Sequence, residues 1–199
     1  MNLPNKLTIF RIILVIVMII IPFFNIQGEI AGGIPITCLI LDGIFIIASI
    51  TDNLDGYLAR KNNQITTFGK FLDPIADKIL VLTAMIMLVE MGRLPAWIPS
   101  LVALREFIVS GYRLIAVQSN GKVIAASMWG KLKTVTQMLA IILAFIDING
   151  FGAFVNQSLT GFNLALNIVT TVLMTISVIA TVFSGWDYIK NGKDLLKDM

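Results

Sequence analysis

The chain has 199 residues, of which 57% are hydrophobic and 14% charged, with a formal net charge of +3. Soluble globular proteins carry about 25% charged residues, so lipid rather than water is the expected solvent. A single cysteine, Cys38, excludes an internal disulfide framework, and the absence of histidine removes the usual general base and the usual zinc ligand.

Residues 1–7 are too short to span a bilayer and are expected to lie along its interface. Lys6 and Arg11 before the apolar run Ile12 to Phe24 imitate a secretory signal. No small-x-small cleavage site follows, so an uncleaved first membrane helix is expected. A spanning helix needs roughly 20 mostly apolar residues. Six stretches qualify, at about 8–24, 34–58, 70–90, 96–117, 132–149 and 162–188. The intervening segments, Asn25 to Gly33, Arg60 to Gly69, Met91 to Pro95, Gln118 to Gly130 and Gly150 to Gly161, carry turn residues. With no internal repeat, the expectation is an all-α membrane protein forming one domain over 1–199, with six transmembrane helices and a short N-terminal interfacial segment.

Positive charges predict the orientation. Lys6 and Arg11 precede or open the first helix. Arg60, Lys61 and Lys70 flank the second connection, and Arg113, Lys122, Lys131 and Lys133 the fourth; Lys190, Lys193 and Lys197 end the chain. The alternate connections hold only Arg93. Both termini are therefore expected to face the cytoplasm, in a multi-pass protein of the plasma membrane.

Four aspartates break the apolar pattern in one frame, Asp52-x2-Asp55-Gly56-x2-Ala59-Arg60-x8-Gly69-x3-Asp73-x3-Asp77. Carboxylates at a bilayer edge are costly and need a strong partner. Asp52 and Asp55 are an i, i+3 pair and Asp73 and Asp77 an i, i+4 pair, so each pair shares a helix face. A hairpin of the two helices brings these faces together at the cytoplasmic edge, where four carboxylates can hold two divalent ions by bridging. Gly56 and Gly69 let a phosphate approach the backbone, Ala59 is small on nearly the same side as Asp52, and Arg60 can neutralise a phosphate oxygen bidentately.

This frame resembles the signature of the CDP-alcohol phosphatidyltransferases, D-x2-D-G-x2-A-R-x8-G-x3-D-x3-D, at every fixed position. Members of that family transfer a phosphatidyl or similar group from a CDP-linked donor to an alcohol and release CMP. The resemblance implies that Asp52, Asp55 and Asp73 ligate Mg²⁺ or Mn²⁺ gripping the donor pyrophosphate. It makes Asp77 both the completing ligand and the base for the incoming hydroxyl, and it implies a homodimer. Gly56, Ala59, Arg60 and Gly69 would adjoin the CDP moiety. Asn5, Thr8 and Arg11 read from the residues alone as ordinary interfacial groups; the resemblance gives them a donor-phosphate role.

The fourth stretch contains Arg105, Glu106 and Arg113, and the fifth opens with Lys131, Lys133 and Thr134. Glu106 can pair with Arg105 or another cation, which still leaves a positive surplus. Lysines beside a helix N-terminus and a threonine hydroxyl suit an anionic phosphate, so the acceptor is expected to carry one. Lys131 and Lys133 also read as plain positive-inside anchors. Within the family, the segments Arg105-Glu106-Phe107 to Arg113, Gly130-Lys131-x-Lys133-Thr134 to Gln137, Asn5-x2-Thr8-x2-Arg11 and Ser184-Gly185-x2-Tyr188 resemble the branch that joins CDP-diacylglycerol to sn-glycerol 3-phosphate. An acceptor such as inositol phosphate is the alternative, and a small ion-coupled transporter is the reading from another functional class. No nucleic-acid partner is expected. Asp42 is expected to hydrogen-bond to another helix, and Trp97, Trp129 and Trp186 to mark the membrane interfaces.

Overall fold

The computed structural model describes residues 2–30, 32–61, 67–118 and 128–192, with the backbone alone at 53–61 and a few other helix-end positions. Its long elements are α1 (Leu3–Ile20), α2 (Ile36–Lys61), α3 (Thr67–Glu90), α4 (Trp97–Gln118), α5 (Met128–Ile146) and α7 (Gly161–Gly192). Each of the six apolar stretches is thus a helix. Three segments, Asn5–Phe24, Met128–Ile146 and Gly161–Lys190, are long and apolar enough to cross a membrane among the described residues. Helices α2, α3 and α4 carry most of the charged groups considered below, with Arg11 on α1 and Lys131 and Lys133 on α5.

The start of the chain differs from expectation. Among the described residues α1 runs unbroken from Leu3 with Pro4 in its first turn, so the expected interfacial stretch is continuous with the first helix. Proline there has its φ preset for a helix and lacks only an N–H that would be unpaired anyway. Two short features were also not anticipated. Strands β1 (Glu29–Ile30) and β2 (Ile34–Pro35) form an antiparallel hairpin. Helix α6 (Ala153–Asn156) lies between α5 and α7.

The chain divides into two compact units, Met1–Leu94 with Ile142–Gly150, and Pro95–Ile141 with Phe151–Met199. In the first, α1 packs on α2 and α3. The buried face of α1 reads Asn5, Thr8, Arg11, Val15, Met18, Ile21, polar in its first half and apolar in its second. Phe10, Ile13, Ile16 and Ile20 face outward. The buried face of α2 runs Cys38, Leu41, Phe45, Ala48, and that of α3 Ala76, Leu80, Ala84, Leu88. These i, i+3/i+4 stripes are the period of a helix with one packed side.

Arg93, the lone cation of the alternate connections, is buried and donates from Nη1 to the carbonyl oxygens of Ala144 and Phe145. It therefore satisfies carbonyls at the end of α5 that no later turn can reach. Asp42 departs from expectation. It is buried, yet its Oδ1 has no hydrogen-bond partner. Its neighbours one turn away are the apolar Phe45 and Cys38, and the Cys38 thiol turns toward the Met91 sulfur at 3.8 Å.

In the second unit α4 packs on α7. The buried face of α7 is unusually small and polar: Asn167, Thr170, Thr171, Ser177, Thr181, Ser184. Without a hydrophobic drive between helices in lipid, small residues favour close packing. Thr175 and Thr181 return their hydroxyls to the carbonyl four residues earlier. Asn167 and Thr171 accept from the backbone N–H groups of Phe154 and Gly152, holding α6 against α7. The three tryptophans are exposed, with Trp97 edge-on to Phe151 and Trp129 stacked on Phe183.

Candidate active site

Two constellations of charge stand out, one in each unit. In the first, α2 supplies Asp52, α3 supplies Gly69, Asp73 and Asp77, and α1 lies against both. The Arg11 guanidinium, fully buried, sits 2.6 Å from Asp52 Oδ1, while the Asp52 side chain is 36% exposed. Thr8 Oγ1 donates to Asp73 Oδ1 at 2.7 Å. Asp77 is half-buried and Gly69 buried. Asn5, Thr8 and Arg11 rise along one face of α1, at i, i+3 and i+6, and all three are buried.

The polar half of the α1 stripe therefore meets the aspartate frame directly. A hydroxyl and a guanidinium hold two of the four carboxylates, which restricts where their remaining lone pairs point. A donor-side role for Thr8 and Arg11 was expected only through the family resemblance; the spacing of three polar residues in an apolar helix signalled that they share a face, but not which carboxylates they would meet.

The side-chain roles expected of Asp55, Gly56, Ala59 and Arg60 lie outside the described residues, whose backbone places these positions in the last turns of α2. Among the described residues no three acidic groups converge on a point that a metal ion would fill. The chemistry of the frame nonetheless fits a hard divalent cation. The donors are carboxylate oxygens from two packed helices, and Asp73 receives an orienting hydrogen bond of the kind that ligating groups usually have.

The second constellation joins α4, α5 and α7. A cavity of about 510 Å³ is lined by Arg105, Arg113, Gly130, Lys131, Thr134 and Tyr188, among others. Four of the five residues expected at an acceptor phosphate thus share one wall. Lys133 does not: it is buried, and its ammonium lies 2.6 Å from Glu106 Oε1. Arg105 Nη1 reaches the same oxygen at 2.8 Å, and its Nη2 donates to Ser184 Oγ. Arg113 Nη2 donates to the Tyr188 hydroxyl at 2.9 Å. Both guanidinium carbons lie within cation–π reach of the Tyr188 ring, at 5.9 Å for Arg105 and 5.7 Å for Arg113.

Two glycines border this arrangement, and a Cβ at either would be at ordinary van der Waals distance from Arg105. A Cβ at Gly185 would stand 3.4 Å from Arg105 Cγ, and one at Gly130 would stand 3.5 Å from Arg105 Nη2. Ser184 and Tyr188, one turn apart on α7, were noted in the sequence only through resemblance; their spacing marks a shared face, but that face's arginine partners are distant in sequence.

The chemistry of a carboxylate frame on two helices suits a divalent cation, and that of an arginine–lysine cavity on three helices suits an anionic phosphate. The family model for CDP-alcohol phosphatidyltransferase matches residues 1–183, and the chain belongs to that family of transferases. It is 41% identical over 200 residues to a CDP-diacylglycerol–glycerol-3-phosphate 3-phosphatidyltransferase of Bacillus subtilis, covering 98% of this chain and 97% of the relative. It is similarly related, at 39% over 203 residues, to the Haemophilus influenzae protein of the same name, covering 99% of this chain and 96% of that one. A probable phosphatidylglycerophosphate synthase of Mycobacterium tuberculosis is 36% identical over 188 residues, with 94% of this chain and 80% of the relative covered.

Proposed function

We propose that the protein transfers the phosphatidyl group of CDP-diacylglycerol to sn-glycerol 3-phosphate, giving phosphatidylglycerophosphate and CMP. The near-full-length likeness to relatives named for that reaction supports it. The observation that carries the choice of acceptor is the cavity lined by Arg105, Arg113, Lys131 and Thr134, a cationic wall suited to a substrate bearing its own phosphate.

In the transfer, the primary hydroxyl of the acceptor attacks the phosphorus of the phosphatidyl group. The P–O bond to the CMP phosphate breaks, and the hydroxyl proton passes to a base. With histidine absent from the chain, the Asp77 carboxylate takes that proton. Asp52, Asp55, Asp73 and Asp77 would hold Mg²⁺ or Mn²⁺, which would neutralise charge on the donor pyrophosphate. Thr8 and Arg11 keep Asp73 and Asp52 aimed, and Gly56, Ala59, Arg60 and Gly69 receive the CDP moiety, with Asn5 beside them.

We read residues 1–199 as one membrane domain of six spans in the plasma membrane, acting as a homodimer, with both termini and the aspartate frame at the cytoplasmic face. The lysine and arginine bias supports the orientation. Burial of Arg93 against the Ala144 and Phe145 carbonyls strengthens it, because the one cation on the opposite side is engaged in structure.

Purified protein given CDP-diacylglycerol with glycerol 3-phosphate, inositol phosphate or serine, with and without EDTA, tests the reading. CMP release with glycerol 3-phosphate that stops on chelation is expected. Release only with inositol phosphate or serine would overturn the acceptor, and release that survives EDTA would overturn the metal.

A further inference from the structure

Glu106 is an acid set among the cations that the acceptor-phosphate reading depends on. It is half-buried on α4, and a single oxygen, Oε1, holds Arg105 Nη1 at 2.8 Å and Lys133 Nζ at 2.6 Å. The Lys133 charge is thereby turned away from the cavity and neutralised. Arg105 is held from three directions: by Glu106 at Nη1, by Ser184 at Nη2, and by the Tyr188 ring beneath its guanidinium. Its Nε is left without a protein acceptor. Arg113 is tied to the same tyrosine through the phenol oxygen.

We propose that Glu106 is a positioning residue for the acceptor, acting through Arg105 with Lys133 as its counter-ion, so that Arg105 and Arg113 meet the acceptor phosphate at a fixed spacing across Tyr188. The proposal rests on the acceptor-phosphate reading given above. Arginine presents a planar fork whose donors are useful only in a fixed orientation, and a guanidinium pinned before the ligand arrives loses less freedom on binding it.

Charge counting and positioning predict opposite signs. Arg105, Arg113, Lys131 and Lys133 carry four positive charges against the one negative charge of Glu106. Removing that negative charge makes the cavity more attractive to any anion, and would lower the KM for glycerol 3-phosphate. If Glu106 works by aiming Arg105, its removal raises that KM instead.

The test is steady-state CMP release by the full-length protein in detergent micelles, with acceptor and donor varied separately. Glu106→Gln is expected to raise the KM for glycerol 3-phosphate by about ten- to a hundred-fold, the usual scale for a displaced orienting contact. The KM for CDP-diacylglycerol and the turnover at saturating acceptor should stay within about threefold of the parent. An unchanged or lowered acceptor KM would overturn the proposal. Because Glu106→Gln leaves Lys133 buried without its counter-ion, the double variant Glu106→Gln/Lys133→Met is measured alongside. Its thermal midpoint should return toward the parent while its acceptor KM remains raised; recovery of both would mean that Glu106 only stabilises the fold. Arg113→Ala separates the levels. If it leaves the acceptor KM unchanged, the acceptor-phosphate reading itself falls. If it raises that KM while neither Glu106 variant does, the reading stands and positioning by Glu106 falls.

Discussion

Arg11 on α1 and Asp52 on α2, 41 residues apart in sequence, meet at 2.6 Å, with the guanidinium fully buried and the carboxylate still 36% exposed. Truncating a partner of a buried ion pair costs about 3–5 kcal/mol, and the openness of Asp52 places this pair at or below the lower end of that range. A double-mutant cycle of Arg11→Met and Asp52→Asn, read by unfolding in detergent, should give a coupling of about 1–3 kcal/mol. A coupling near zero would mean that the pair is incidental to the fold.

Thr8 makes the corresponding contact with Asp73. Thr8→Val keeps the shape and removes the O–H, leaving the carboxylate free to swing. Metal affinity, followed by calorimetric titration and by the metal dependence of CMP release, should weaken by about ten- to a hundred-fold, as is typical when an orienting partner of a ligand is lost. Thr8→Ser should restore most of it. Equal loss in both variants would point to packing of the γ-methyl instead of the hydrogen bond.

Asp77→Asn removes the proposed base while retaining the size of the side chain. Turnover should fall by about a hundred- to ten-thousand-fold, the range for loss of general base catalysis. Equilibrium binding of CDP-diacylglycerol should change little. Near-parental turnover would exclude Asp77 as the base.

Arg93 and Gly150 give a prediction about stability alone. Arg93→Leu leaves the carbonyl oxygens of Ala144 and Phe145 without their donor, at about 1–3 kcal/mol for a buried unsatisfied group. Gly150 has φ +82°, and a Cβ there would lie 3.1 Å from the Gly92 carbonyl oxygen, so Gly150→Ala should also destabilise, through strain. Both variants should unfold at lower temperature than the parent yet keep the parental KM for both substrates, since neither residue belongs to the candidate site. A changed KM would connect this end of the molecule to substrate binding.

The number and placement of the long helices could be read from the chain because lipid demands long, uninterrupted apolar runs. The run Ile12 to Phe24 falls within α1 and its terminal turn, and the run at 162–188 within α7. The aspartate frame was equally legible, since an acid is conspicuous where its cost is high. Short polar features followed no such rule. The hairpin at Glu29–Ile30 and Ile34–Pro35 and the turn of α6 depend on individual glycines and on caps supplied by Asn167 and Thr171.

By itself, the sequence determined the membrane class, the family signature from Asp52 to Asp77 and the presence of surplus cations from Arg105 to Lys133. These are local properties: hydropathy, spacing and residue type survive without knowledge of what lies across the helix. Only the tertiary structure decided which groups pair. It set Arg11 on Asp52 and Thr8 on Asp73, turned Lys133 from the cavity to Glu106, left Asp42 Oδ1 without a donor, and shared Tyr188 between two arginines. Pairing over 27 to 83 residues of chain depends on how helices pack and rotate against one another, and helical periodicity names a face without naming its neighbour.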